Sequence, residues 1–430
     1  MLLAPCGASQ PPVRVPAGRR SWRPLGAFGP FGLEGTRPST LRTPPRRVRT
    51  RAASAASAAA LSVLVVGGSG RVGGSTARWL QRLSQQEGLD LRVAVGGRSR
   101  ENFAAWRRRV ADAGELGEVE FVEIDHSREE SVEQALRETD WSLLLHTAGP
   151  FQGITQPTIL KQAIRAGVPY VDVCDDTELC KAAKALTSQA KEAKVPAVVS
   201  AGIWPGVSAL MVCEAQERLG AIEELELSFH TSGTGGAGPT IVSATFLLLA
   251  EQPLNFRDGA EIRAEPWGNR RLVDFGPGVG EQYVHLLDEP EVYTCHECLG
   301  IPTISSSFGT APDVWNWMFG AVRVLPPSVL GNRGLMQAVA NFSMPIISAV
   351  DRLVGSKNAM RLDASSGEQR LTLRVSHADL EDCVGLATAA FGLEVLQQKV
   401  PPGVWFPAEM SANRASIFRR VRHGSILWEM

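Results

Sequence analysis

Leu61-Ser62-Val63-Leu64-Val65-Val66 runs directly into Gly67-Gly68-Ser69-Gly70-Arg71-Val72-Gly73-Gly74, and this junction decides the fold. The first six residues, apolar but for Ser62, read as a buried strand. Ala77, Leu80 and Leu83 then recur at helical spacing. Between strand and helix, Gly68-x-Gly70-x-x-Gly73 gives each glycine a duty. Gly68 permits a tight turn, Gly70 lets the backbone approach a pyrophosphate, and Gly73 allows the helix to pack closely on the strand. The start of the helix adds unpaired N–H groups and a positive dipole end, so Ser69, Arg71 and Val72 belong to the same phosphate cradle.

Outward from this turn, short apolar runs alternate with amphipathic stretches, the pattern of a parallel sheet with crossover helices. Further strands are predicted at 91–95, 119–124, 141–146, 170–173 and 197–200, with helices at 131–139, 155–166 and 177–194 between them. The expected fold class is therefore α/β, with a Rossmann domain over residues 61–206. Beyond Gly206 the texture changes to an α+β second domain over 207–378 with a mixed or antiparallel sheet. Strands are expected at 224–229 and 371–376, and a helix at 240–250. Leu380, Val384, Ala387, Ala390, Leu393 and Leu396 then mark a helix, within 379–410, that returns to the first domain. Residues 411–430 are expected to form a tail.

The end of the second strand selects the nicotinamide cofactor. A carboxylate there would bond the ribose 2′-hydroxyl and repel a 2′-phosphate. This chain instead offers Gly96-Gly97-Arg98-Ser99-Arg100. The Arg98 guanidinium suits a phosphate and the Ser99 hydroxyl adds a further donor, so NADP(H) is expected over NAD(H). Asp125, after the third strand, is placed near the adenine. Ala148 and Gly149, in Thr147-Ala148-Gly149-Pro150-Phe151 after the fourth, let the cofactor cross the sheet edge.

These segments, with Gly167-Val168-Pro169-Tyr170-Val171-Asp172, Ala201-Gly202-x-x-Pro205-Gly206, the Gly233-to-Thr240 stretch and Pro401-to-Pro407, resemble the saccharopine-dehydrogenase-like NADP-binding family. The likeness spans most of residues 61–407 and is nearest to a plastid and bacterial branch. It implies a Rossmann domain, a mixed-sheet catalytic domain, a returning C-terminal helix, and hydride transfer between NADP(H) and an imine or carbonyl-derived carbon. One departure stands out. Members acting on amino acids usually carry an acid before the Pro-Gly of the sixth-strand loop, and this chain has Trp204. An apolar face there favours a less polar substrate or a stacked ring.

Tyr170, Asp172, Asp175 and Asp176 are the candidate proton donors near the sheet edge, and His230 precedes the glycine-rich loop. Within that loop Gly235 and Gly236, with Thr240 at the following helix, are candidate substrate contacts through free N–H groups. Cys295-His296-Glu297-Cys298 is a lone CxxC pair, too few ligands for structural zinc, so no metal is expected. Trp315, Trp317, Met318, Phe319, Val322 and Leu325 lead into an uncharged run from Gly334 to Val350. This segment reads first as core of the second domain; a membrane surface, a homodimer partner or a hydrophobic substrate tunnel are its other readings.

Net charge is −1, but residues 1–60 hold ten Arg and one acid, leaving 34 cations against 44 anions in the remainder. So acidic a body repels phosphate backbones, and nucleic acid is not expected as a partner. Residues 1–55, rich in Pro, Arg, Ala and Gly, read as a transit peptide removed near Val48–Ala53. The plastid is the expected destination, with the mitochondrion as the alternative. The functional expectation is an NADP(H)-dependent oxidoreductase of an unidentified small molecule. Its rivals are a non-catalytic NADP(H)-binding sensor or scaffold and a membrane-surface reductase of an apolar substrate.

Overall fold

The computed structural model describes residues 60–111, 117–232 and 238–430; the expected leader, Gly235 and Gly236 lie outside the described residues. The strand Leu61–Val66 lies inside a seven-stranded parallel sheet, between Leu143–His146 and Leu91–Gly97. Its spatial order is Gly403–Trp405, Pro196–Val198, Tyr170–Asp172, Leu143–His146, Leu61–Val66, Leu91–Gly97, Val119–Glu123. Alternation along Leu61–Val66 feeds two cores. Val63 and Val65 pack beneath the helices Arg71–Gln86 and Leu380–Leu396, while Leu64 and Val66 face the helices Glu129–Glu138 and Thr158–Ala166 on the other side. Burial on both faces explains why this strand is a nearly continuous apolar run rather than an alternating one.

The second sheet is mixed. Thr303–Ala311 runs parallel to Glu224–Ser232 over nine registered pairs, and Lys357–Ser366 and Gln369–His377 extend it as an antiparallel hairpin. On the far side Glu281–Leu286 and Arg271–Asp274 complete the row.

Helix Leu380–Leu396 returns to the first sheet and lies along Arg71–Gln86 at very close range. A Cβ on Gly385 would come within 2.5 Å of the Ser75 hydroxyl. The helix is fastened by the Asp382 carboxylate, which accepts from Ser75 Oγ and Trp79 Nε1, both at 2.9 Å, and pairs with Arg78.

Residues 411–430 differ from the expected tail. They form the helix Arg414–Val421 and the strand Ser425–Glu429, which pairs with Gln369–His377. A buried guanidinium helps to fasten them. Arg420 bonds Glu87 at 2.6 and 2.9 Å, at the end of the first helix, and pairs with the fully buried Glu394. An ion pair out of water holds only when both partners are present, so the chain end is bound to the first core.

Candidate functional site

A cleft of about 940 Å³ opens along the carboxyl edge of the first sheet and continues beneath the second, near the upper end of ordinary ligand-pocket sizes. Its floor is the turn Gly67–Gly73. Here the tight turn falls on Gly67, with φ of 79°, rather than on Gly68 as expected from the motif. Gly68 is needed for close approach instead, since a Cβ there would stand 2.8 Å from the Val65 carbonyl. At Gly73 a Cβ would meet the Gly67 carbonyl at 2.4 Å and Thr147 Oγ1 at 2.5 Å. At Gly70 only the Gly67 carbonyl lies near, at 3.0 Å. The motif thus packs tightly inward at Gly73 and stays open toward the cleft at Gly70. Val72 and Gly73 stand in the first turn of the helix, ahead of its run of internal hydrogen bonds, with their backbone at the cleft. Arg71 also pairs with Glu381 at 3.4 Å, which draws the returning helix to the rim.

Arg98 and Ser99 line the cleft at the end of the second strand. Ser99 has prior duties: its Oγ accepts from the Asn102 N–H at 3.1 Å and donates to Glu101 at 2.8 Å, capping the helix that follows. Asp125 is not on the cleft wall. Its carboxylate accepts from the N–H and hydroxyl of Ser127, and the adjacent His126 lines the cavity in its place. Ala148 and Gly149 border the cleft above the glycine turn, with Thr147 Oγ1 donating to the Val66 carbonyl at 2.8 Å. Glycine turn, helix start, small residues at the edge and a guanidinium beyond the second strand together fit an NADP(H) dinucleotide.

The proton-bearing candidates separate. Tyr170 and Asp172 face a second, smaller cavity of about 340 Å³ and do not line the cleft. Asp172 accepts from the N–H groups of Ser200 and Cys174 and from the Tyr170 hydroxyl, at 2.8, 3.1 and 3.0 Å, so it organises two loops. Burial nevertheless pushes its carboxyl up to about 6. His146 Nδ1 lies 3.1 Å from the Tyr170 hydroxyl, and burial lowers the imidazole to about 3, which keeps it neutral. Asp176 caps the helix Thr177–Lys184 through the Leu179 N–H at 2.7 Å. His230 is enclosed within the second sheet, against Phe275 and Ser232, and is likewise held near 3 by burial.

Asp175 does line the cleft, and its enclosed Oδ1 has no hydrogen-bond partner. Burial raises this carboxyl to about 6, with the charge of Asp176 adding to the effect. The same cleft also holds Glu289, which the sequence pattern did not single out. Glu289 precedes the helix Pro290–Leu299, is buried, and borders the same cleft. Burial raises its carboxyl well above the usual range, and the neighbouring Glu291, Asp175 and Asp288 push in the same direction. Asp288 is occupied, accepting from the Leu254 N–H and the Thr177 hydroxyl at 2.7 and 2.8 Å. An acid immediately before Pro at a strand-to-helix junction, in Asp288-Glu289-Pro290-Glu291, was the available signal.

Trp204 forms the wall where the two sheets meet, with its ring 4.8 Å from Phe229 and 5.8 Å from Phe308, so it both packs the second domain and faces the cleft. Thr240, second residue of the helix Pro239–Leu248, lines the cleft as well. Beyond Trp204 the walls turn apolar, between that helix and the helices Val314–Val322 and Arg333–Val354. Arg333 ties the last of these to the cofactor side through the carbonyls of Pro150 and Gln152, at 2.7 and 2.6 Å. Cys295 is buried and Cys298 partly so, the latter thiol pushed up to about 12 by burial. Among the described residues no group of three potential ligands is arranged to hold a metal ion.

Residues 63–199 match the family described as the saccharopine dehydrogenase NADP binding domain. In fold, the chain is similar to apo saccharopine dehydrogenase (L-Glu forming) from Saccharomyces cerevisiae. The TM-score is 0.57 at 12% identity, covering 85% of this chain and 98% of that one. Weaker likenesses are to C. glutamicum DAP dehydrogenase in complex with DAP (TM-score 0.39, 12% identity, 81% and 93% covered). An engineered D-amino acid dehydrogenase bound to NADP+ gives a TM-score of 0.38 at 16% identity, with 81% and 94% covered. No curated protein matches the sequence.

Proposed function

We propose that this chain, built on a saccharopine dehydrogenase-type NADP-binding domain, is an NADP(H)-dependent oxidoreductase acting on an imine or carbonyl-derived carbon of a small molecule. The observation that carries the reading is one continuous cleft that joins the glycine turn to two carboxyls, the half-buried Asp175 and the buried Glu289. The turn and the first N–H groups of the helix Arg71–Gln86 would hold the pyrophosphate, and Arg98 the 2′-phosphate. When bound, the cofactor supplies or accepts a hydride.

The chain's own part is proton management and exclusion of water. Glu289, whose carboxyl burial raises well above the usual range, is the group placed to donate a proton to oxygen or nitrogen as negative charge builds there. Asp175, near 6, is mostly ionised at pH 7.5. Two carboxyls whose surroundings separate their proton affinities divide acid from base work. Trp204, Phe308 and Phe319 make the adjoining wall apolar, which strengthens every charge interaction inside the cleft.

The test has two stages. NADPH and NADH are titrated against the full chain by tryptophan quenching, and NADPH oxidation is then followed with a panel of aldehydes, ketones and imines, apolar ones included. Tighter NADPH binding and turnover of at least one compound are expected. Glu289→Gln should then lower kcat by about 100-fold or more with NADPH affinity kept. Binding without turnover across the panel would move the protein to a sensing role.

A further inference from the structure

Nine of the twelve exposed large hydrophobic residues among the described residues fall between Val314 and Leu353. Along the helix Arg333–Val354, Leu335, Val339, Phe342, Ile346 and Leu353 follow one another at spacings of three, four and seven. They form a solvent-facing apolar stripe, with Phe342 85% and Leu353 87% exposed. Met336, Ala340 and Ile347 of the same helix are buried on its other side. A helix apolar on both faces is half explained by the core; the outer stripe needs something else against it.

The patch continues onto the preceding segment through Val314, Trp317, Val324 and Leu325. Trp317 is 67% exposed, with its indole N–H on Asp313 at 3.1 Å, the amphipathic placement that suits a water–hydrocarbon boundary. Leu325 and Val339 belong to both surfaces at once: they are exposed, and they line the cleft. The apolar half of the cleft therefore opens within the apolar patch.

Charge selects among the things that would cover it. From Asp313 to Lys357 the chain carries Arg323, Arg333, Arg352 and Lys357 against two carboxylates, Asp313 and Asp351, although residues 61–430 hold 34 cations and 44 anions. Arg323 and Arg352 are exposed. A second copy of this face would set like charges together, whereas an anionic bilayer complements both the hydrocarbon and the cations. Among the described residues no helix is long and apolar enough to cross a membrane, so the contact is one of seating, not spanning.

We propose that the segment Val314 to Val354 seats the protein on an anionic bilayer surface and that the apolar half of the cleft receives the hydrocarbon portion of a substrate dissolved in that bilayer. The substrate class rests on the oxidoreductase reading above; the seating needs no catalysis, so the two fail separately.

The experiment is flotation of the full chain with vesicles of phosphatidylcholine alone and with about a third phosphatidylglycerol. It is paired with NADPH titration and with sedimentation in lipid-free buffer. The chain should float with the anionic vesicles and less with the neutral ones. Phe342→Asp combined with Leu353→Asp, neither of which lines the cleft, should reduce partitioning by about 100-fold with NADPH affinity unchanged. Binding of cis-parinaric acid should fall in Ala244→Phe, which fills the apolar half, and persist in the surface variant. Failure to float with either vesicle, or a lipid-free dimer that the surface variant dissociates, overturns the seating. Equal binding of cis-parinaric acid by Ala244→Phe overturns the substrate class.

Discussion

Asp175→Asn should alter how stability depends on pH, by an amount set by the surroundings of this one carboxyl. In the folded chain burial holds it near 6, against an ordinary value of 3.8, so the folded state keeps the proton longer than the unfolded one does. A raised carboxyl pKa means that ionisation works against folding. Stability therefore declines as pH rises from about 4 and levels off once the folded group has titrated. The full penalty is about 3 kcal/mol, and about 2 kcal/mol of it develops between pH 4.5 and 7.5. Asparagine has the same shape and cannot ionise. The difference in unfolding free energy, variant minus parent, should accordingly rise by about 2 kcal/mol across that interval. Guanidinium denaturation of both proteins at a series of pH values measures it, and carboxyls common to both largely cancel. A flat difference, or one that falls with pH, would refute the argument that Oδ1 is enclosed without a partner.

Gly73→Ala should destabilise the chain by about 1–3 kcal/mol even without cofactor, because its methyl collides with the Gly67 carbonyl and Thr147. Gly70→Ala, whose methyl presses only on the Gly67 carbonyl at 3.0 Å, should destabilise the chain less than Gly73→Ala and weaken NADPH binding; comparable destabilisation by both would contradict the geometry. Arg98→Asp should weaken NADPH far more than NADH in the same titration, and equal losses would remove the guanidinium from the 2′-phosphate. Arg420→Ala should cost about 2–3 kcal/mol, because Glu394 loses its guanidinium and keeps only Lys399 at 3.3 Å and Asn413 at 2.8 Å. Guanidinium denaturation checks it.

The strand, glycine turn and helix at 61–86 were legible because each is a local pattern with a mechanical reason, and the five later strands followed from the same alternation. Which of the adjacent glycines takes the positive φ was not legible, since Gly67 and Gly68 differ only in what the folded chain brings near them. The strand Gly403–Trp405 is three residues long and meets its partner Pro196–Val198 across some two hundred residues, a pairing that no local period marks. Tyr170 and Asp172 stand two apart on one strand and so share a face. In a sheet buried on both sides, that alternation does not say which face looks into the cleft. Glu289 escaped notice because an acid beside Pro in an α+β region is ordinary; its distinction is the burial it acquires from the elements around it. At the chain end, Ser425-Ile426-Leu427-Trp428-Glu429 carries a recognisable strand pattern. The buried arginine that helps to fasten those residues was hidden among other basic residues.

That the seventh strand of the cofactor-binding sheet lies at residues 403–405 governs how the protein is born. A ribosome releases the six earlier strands and their helices long before it releases the strand that covers the sheet's edge or the helix that covers part of its face. Until then Pro196–Val198 presents an open edge, and the apolar side later closed by Leu380–Leu396 meets solvent or a chaperone. Emergence of residues 380–405, rather than of the first domain's own strands, is the moment when this sheet can close.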